Sequence, residues 1–194
     1  MATLDQKQFL ERLKSETEEI LAFAYMLSEQ PTEKLTEQPT PNQWSVAECL
    51  EHMNAATELY LDQIEPKMIT HLKPSGTTFF KRGFFASYST KSLKPSAEGK
   101  IKSKMKTMKI FQPISEQNVK SVLDRFVNNQ HRVLRVLHDL DGKDLRSFKL
   151  TTALGKILKF YVGEALEFAI AHNQRHVLQA RRVLEQMDNK VFNK

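Results

Sequence analysis

The chain has 194 residues and a mass of 22.4 kDa, room for one domain or for one domain carrying a long insertion. Hydrophobic residues make up 40%, which excludes a wholly disordered chain; six Gly and seven Pro are too few for an all-β protein, and one cysteine, Cys49, excludes a disulfide scaffold or a structural zinc site built on several thiolates. The net charge of +6 is concentrated: residues 81–109 hold nine basic side chains and one acidic, leaving 20 basic against 22 acidic elsewhere, so this is no basic nucleic-acid-binding domain.

The first segment, Leu4 to Ser28, places Phe9, Leu10, Leu13, Thr17, Ile20, Leu21, Ala24 and Leu27 on one helical stripe. Pro31, Pro39 and Pro41 predict an extended connection after it. Ser45 followed three residues later by Glu48 is a capping box, and it opens a second helix running to about Thr70. Val46, Cys49, Leu50, Met53, Ala56, Tyr60 and Ile64 form its apolar stripe, and Pro66 is expected to end or kink it. Trp44 reads as an aromatic plug at the start of that helix, and Cys49 as a small buried residue.

Residues 73–113 read as a long basic loop within a single domain spanning 1–194. That loop is either a solvated connection or a device that steers an anionic substrate. A third helix is expected from Ser115, with Val119, Val122, Leu123, Phe126, Val127, Val133, Leu134 and Leu137 inward, and Asp141-Gly142 as its stop. Leu145 to Thr152 reads as a small hairpin or an irregular stretch. A long fourth helix is expected from Gly155 to Met187. The predicted fold is all-α, a four-helix bundle with one long crossover. No apolar run approaches the roughly 18 residues of a membrane span, and no secretory signal is visible, so the expected location is the reducing cytoplasm.

Function shows in the fourth helix. Its inward stripe is Leu154, Leu158, Val162, Ala165, Ala169, His172, His176, Ala180, Val183 and Met187, apolar except for two histidines four residues apart. Buried imidazoles without partners are costly, and i,i+4 spacing brings two ring nitrogens within reach of one divalent ion. His52, beside the stripe of the second helix, is the expected third ligand. His71, His131 and His138 read as surface or edge residues.

Trp44-Ser45, Glu48 and His52, followed late in the chain by His172-x-x-x-His176, resemble the DinB-like superfamily, including its YfiT-like metal-dependent hydrolases. The stretch from Lys104 to Pro113 is also similar to what precedes the third helix in many members. The resemblance spans nearly the whole chain and implies an up-down-down-up four-helix bundle. It assigns His52, His172 and His176 as metal ligands, with nickel or zinc as the ion, and it implies a homodimer. Relatives include transferases that join low-molecular-weight thiols such as bacillithiol or mycothiol to electrophiles.

A metal-dependent thiol S-transferase or hydrolase acting on a small molecule is therefore one expectation. A metal-binding bundle with a stability, sensing or binding role is the other. A low-molecular-weight thiol carrying carboxylates would suit Lys102, Lys104 and Lys106 as substrate-binding residues. No catalytic side chain beyond the ligands is assigned, since Glu48 already has a capping role and Asn173 and Gln179 read as exposed helix polar residues, with hydrogen-bond partners behind the metal ligands as the alternative. No nucleic-acid or membrane partner is expected.

Overall fold

Each long helix begins where a side chain satisfies N–H groups that the first turn leaves free. The computed structural model describes residues 3–96, 99–101, 107, 111–113, 118–153 and 155–192, the side chains of 156 and 190–192 aside. In chain order the elements are β1 (Thr3–Asp5), α1 (Gln6–Ser28), α2 (Thr32–Thr36), α3 (Val46–His71), β2 (Phe79–Lys81), α4 (Phe84–Leu93), α5 (Val119–Asp139), β3 (Lys149–Thr152), β4 (Gly155–Tyr161) and α6 (Val162–Phe192). Asp5 caps α1 by accepting from the Gln8 N–H at 2.9 Å. Ser45 and Glu48 form the expected capping box on α3, and Asn118 caps α5 through the Ser121 N–H. At α6 the Glu164 carboxylate reaches back to the Tyr161 N–H at 2.9 Å.

The described part of the chain is mostly helical, as the composition implied. Among its long helices, α1 and α3 each pack against both α5 and α6, and α4 lies against α6. Their stripes meet in one core that includes Leu13, Ile20 and Leu27 of α1, Leu50, Met53 and Ile64 of α3, Phe126 of α5 and Ala165 and Leu166 of α6. Full burial of a leucine-sized side chain contributes about 1.5–3 kcal/mol. The α3–α5 seam is polar by contrast: Arg125 pairs with Glu51 and Glu58, and Arg132 with Asp62 and Glu65. No helix among the described residues is long and apolar enough to cross a membrane.

Four expectations change. The connection after α1 contains a short helix, α2, which seats Leu35 in the core. Pro66 does not end α3. The turn beyond it is held by Met68 against the core and by the Lys67 ammonium on the Lys149 carbonyl at 2.8 Å, which offset the lost backbone bond. Part of the stretch read as loop is β2, paired antiparallel with β1, and α4, whose Ala86, Thr90 and Leu93 face inward.

The fourth change concerns the last helix. Residues 155–161 form β4, paired antiparallel with β3, so α6 begins at Val162 and Leu158 belongs to a strand. Of the stretch 145–152, read as a small hairpin or irregular, only Lys149–Thr152 is a strand, and its partner is β4 rather than a second strand within that stretch. Ser115 and Leu154 lie outside the described residues, and α5 begins at Val119.

Gly163 sits where the hairpin meets α6. A Cβ there would lie 2.9 Å from the Cβ of Leu145 and 3.2 Å from Phe80. Leu145 Cβ cannot retreat without its backbone, so crowding outweighs the helix preference of alanine, which is about 1 kcal/mol. Gly163→Ala is expected to lower stability by about 1–2 kcal/mol, read as an earlier urea midpoint at unchanged slope. An equal or later midpoint would show that the contact relaxes freely.

Candidate metal centre

The second turn of α3 and the middle of α6 face one another, and each brings histidine to the contact. His52, His172 and His176 each offer a ring nitrogen, and these three atoms all lie within 4.8 Å of one another. His52 and His176 are buried and His172 is half-buried. The Nε2 atoms of His52 and His172 are 3.1 Å apart. The ring centroids of His176 lie 4.5 Å from both partners.

Hydrogen bonds behind the rings select which nitrogen each presents. His52 Nδ1–H donates to the Phe111 carbonyl at 2.7 Å, leaving the Nε2 lone pair directed at the cluster. The His176 Nδ1–H donates to Gln179 Oε1 at 2.9 Å, with the same result. His172 Nδ1 has no hydrogen-bond partner among the described residues. The rings are held neutral. Burial lowers the pKa of all three; at His172 the neighbouring His176 and His52 lower it further, and His176 is pushed down to about 3.

The cluster has an aromatic wall. Trp44 lies 5.0 Å from the His52 ring and is stacked at 6.1 Å on His176. Phe111 meets His52 edge-on at 6.4 Å. Cys49 is buried and its thiol is pushed far up by burial, the behaviour of a small apolar residue. Glu48 is occupied as a cap, with both carboxylate oxygens also accepting from the Gln38 amide.

Two expectations change here. Gln179 orients His176, so it is no plain surface polar residue; its i+3 offset from a histidine was the available signal. Asn173 is buried and bonded to Thr57 across α3 and α6. Trp44 touches the rings as well as plugging the start of α3. Phe111 had no signal of its own beyond closing the basic stretch. His71 and His138 are exposed and His131 is half-buried at the Tyr25 hydroxyl, all away from the cluster. Lys102, Lys104 and Lys106 lie outside the described residues.

The donor set suits a divalent ion. Two nitrogens bound at roughly 2.0–2.1 Å in tetrahedral geometry stand about 3.3 Å apart, close to the 3.1 Å between His52 and His172. Neutral imidazoles suit several first-row divalent ions, zinc, copper, iron and nickel among them. Three histidines close together could thus hold one divalent ion. Neither a curated protein nor a solved structure gives a significant match to the chain. The family model of the DinB superfamily matches residues 8–180, which takes in all three histidines, the whole of α3 and α6 as far as Ala180; the chain belongs to the DinB superfamily.

Proposed function

We propose that the chain is a metal-dependent enzyme acting on a small molecule, with His52, His172 and His176 as ligands of one divalent ion and thiol S-transfer, or failing that hydrolysis, as its reaction. The observation that carries this reading is the pair of Nε2 atoms facing one another at 3.1 Å, with His176 in reach of both. Three protein ligands leave coordination positions open, unlike a closed four-ligand structural site. When bound, such an ion supplies Lewis acidity that favours the deprotonated form of a thiol or of water at neutral pH.

The chain's own groups do the positioning. The Phe111 carbonyl and the Gln179 amide hold the protons on Nδ1 of His52 and His176, so both rings point Nε2 at the same place. Trp44 and Phe111 enclose the rings and keep bulk water from one side. Phe111 also ties the basic segment to this point. Lys106 is five residues earlier, at most roughly 18 Å of extended chain, which supports Lys102, Lys104 and Lys106 as groups that draw an anionic thiol or substrate toward the cluster.

We read the four long helices as the up-down-down-up bundle of this superfamily, working as a cytoplasmic homodimer. A non-catalytic metal-binding role is the second reading. What favours it is that no carboxylate or cysteine among the described residues joins the histidines to act as general acid or base.

Metal quantification on the native protein, followed by a screen of thiols against electrophiles, tests the proposal. One ion per chain and metal-dependent consumption of thiol support S-transfer. Metal-dependent hydrolysis without thiol selects the second reaction. One ion per chain with no turnover selects the non-catalytic role.

A further inference from the structure

A second concave site, with a volume of about 370 Å³, lies between α4 and α6. Arg82, Ser87, Thr90, Lys91 and Lys94 line it, with Glu167 on the α6 side. Glu167 is buried and already committed: Arg12 donates to it at 2.7 Å, and the Arg82 Nη1 group reaches both of its oxygens at 2.8 and 2.7 Å. Lys94 pairs with Glu16 at 2.5 Å. Three basic side chains, Arg82, Lys91 and Lys94, thus line the pocket against one carboxylate, Glu167; among the described residues Arg82 pairs with Glu167, Lys94 with Glu16, and Lys91 with no acid.

Two donors at this place are unspent. The Thr90 hydroxyl and the Arg82 Nε–H are buried and have no hydrogen-bond partner among the described residues. Buried donors are destabilising unless something accepts from them. The site is separate from the histidines. Glu167 and Gln174 are seven residues apart on one side of α6, and Gln174 is two residues from both His172 and His176, about 200° round the helix. Gln174 lines an adjoining groove that shares Lys94 and Pro95 with this pocket.

We propose that this pocket binds the phosphate group of a small phosphorylated molecule. A phosphate brings the missing negative charge and several strong acceptor oxygens. These match a hydroxyl, a guanidinium N–H and two ammonium groups in one place. The volume exceeds that of a bare phosphate and falls within the usual range for small-molecule pockets. Surplus charge and buried donors together exclude a purely apolar ligand.

Calorimetric titration of the metal-free full-length protein with inorganic phosphate and with pyrophosphate tests this. Pyrophosphate is expected to bind once per chain, more weakly as salt rises, and more tightly than succinate. Thr90→Val removes an unpartnered hydroxyl without changing shape, so it is expected to weaken pyrophosphate at least fivefold while leaving the melting temperature equal or higher. Lys91→Gln, at an exposed position, is expected to weaken it severalfold with no change in melting temperature.

His172→Ala is expected to bind pyrophosphate as the wild type does; loss of binding in that variant would place the anion at the histidines and overturn the proposal. So would no binding by the wild type, or affinities unchanged in both Thr90→Val and Lys91→Gln.

Discussion

Replacing His172 or His176 with alanine is expected to abolish stoichiometric retention of a divalent ion, and His52→Ala to do the same from the opposite helix. Each variant removes one of three ligands, and the remaining two imidazoles hold an ion far more weakly. Gln179→Ala provides the graded comparison. It leaves every ligand in place but frees His176 Nδ1, so a loss of about 10–100-fold in metal affinity is expected, the usual effect of removing a hydrogen bond that orients a ligand. Competition against a chromogenic chelator reads both effects. If all three alanine variants still bind one ion per chain with wild-type affinity, the ligand assignment fails. If Gln179→Ala binds as the wild type does, the orienting role alone fails.

The same burial makes the metal-free fold sensitive to acid. An unfolded histidine titrates near 6.5, whereas in the folded protein all three rings are shifted downward, His176 to about 3. A folded pKa below the unfolded one means that stability is fully present above pH 6.5 and is lost as pH falls. The unfolded chain takes up protons that the fold refuses. Each such histidine costs about 1.4 kcal/mol per pH unit below 6.5. His176, at about 3, is still neutral at pH 4.5 and alone accounts for a loss of about 2.7 kcal/mol over those two units; the downward shifts of His52 and His172 add to it in the same direction.

Urea unfolding at pH 6.5 and pH 4.5 measures it. The His172→Leu/His176→Leu double variant isolates the cause, because its stability is expected to fall far less over the same interval. Parallel losses in the two proteins would assign the acid sensitivity to carboxylates instead.

Much of the fold was legible because burial writes a period into the chain. Phe9, Leu10, Leu13, Thr17, Ile20, Leu21, Ala24 and Leu27 repeat at helical spacing and all face the core. Ser45 and Glu48 mark the start of α3 by chemistry alone. The start of α6 was misread because Leu158 and Val162 continue the same i,i+4 spacing backwards. Only strand pairing with Lys149–Thr152, a non-local interaction, decides for β4 there, and it leaves Ile157 almost wholly exposed. The helix α4 was hidden by its composition. Its inward residues Ala86, Thr90 and Leu93 are few, while Phe84, Phe85 and Tyr88 point outward, inverting the usual amphipathic signal.

At the candidate site the three histidines could be picked out because imidazoles interrupt or adjoin apolar stripes. Their supports were less visible. Gln179 carries the i+3 spacing of a partner to His176, but the same spacing fits an exposed glutamine, and only the rotamers decide between them. Phe111 acts through its carbonyl, which every residue carries, so no side-chain pattern could single it out. Trp44 faces the rings only because α3 and α6 pack side by side, a fact of tertiary geometry.

X-ray absorption at the zinc edge, on the full-length protein loaded with one equivalent of zinc, tests the central claim most directly. The account predicts three imidazole nitrogens at about 2.0–2.1 Å, lighter oxygen scatterers in the remaining positions and no sulfur. A zinc–sulfur path at about 2.3 Å, which only Cys49 or a methionine could supply, or fewer than three imidazoles, would contradict it.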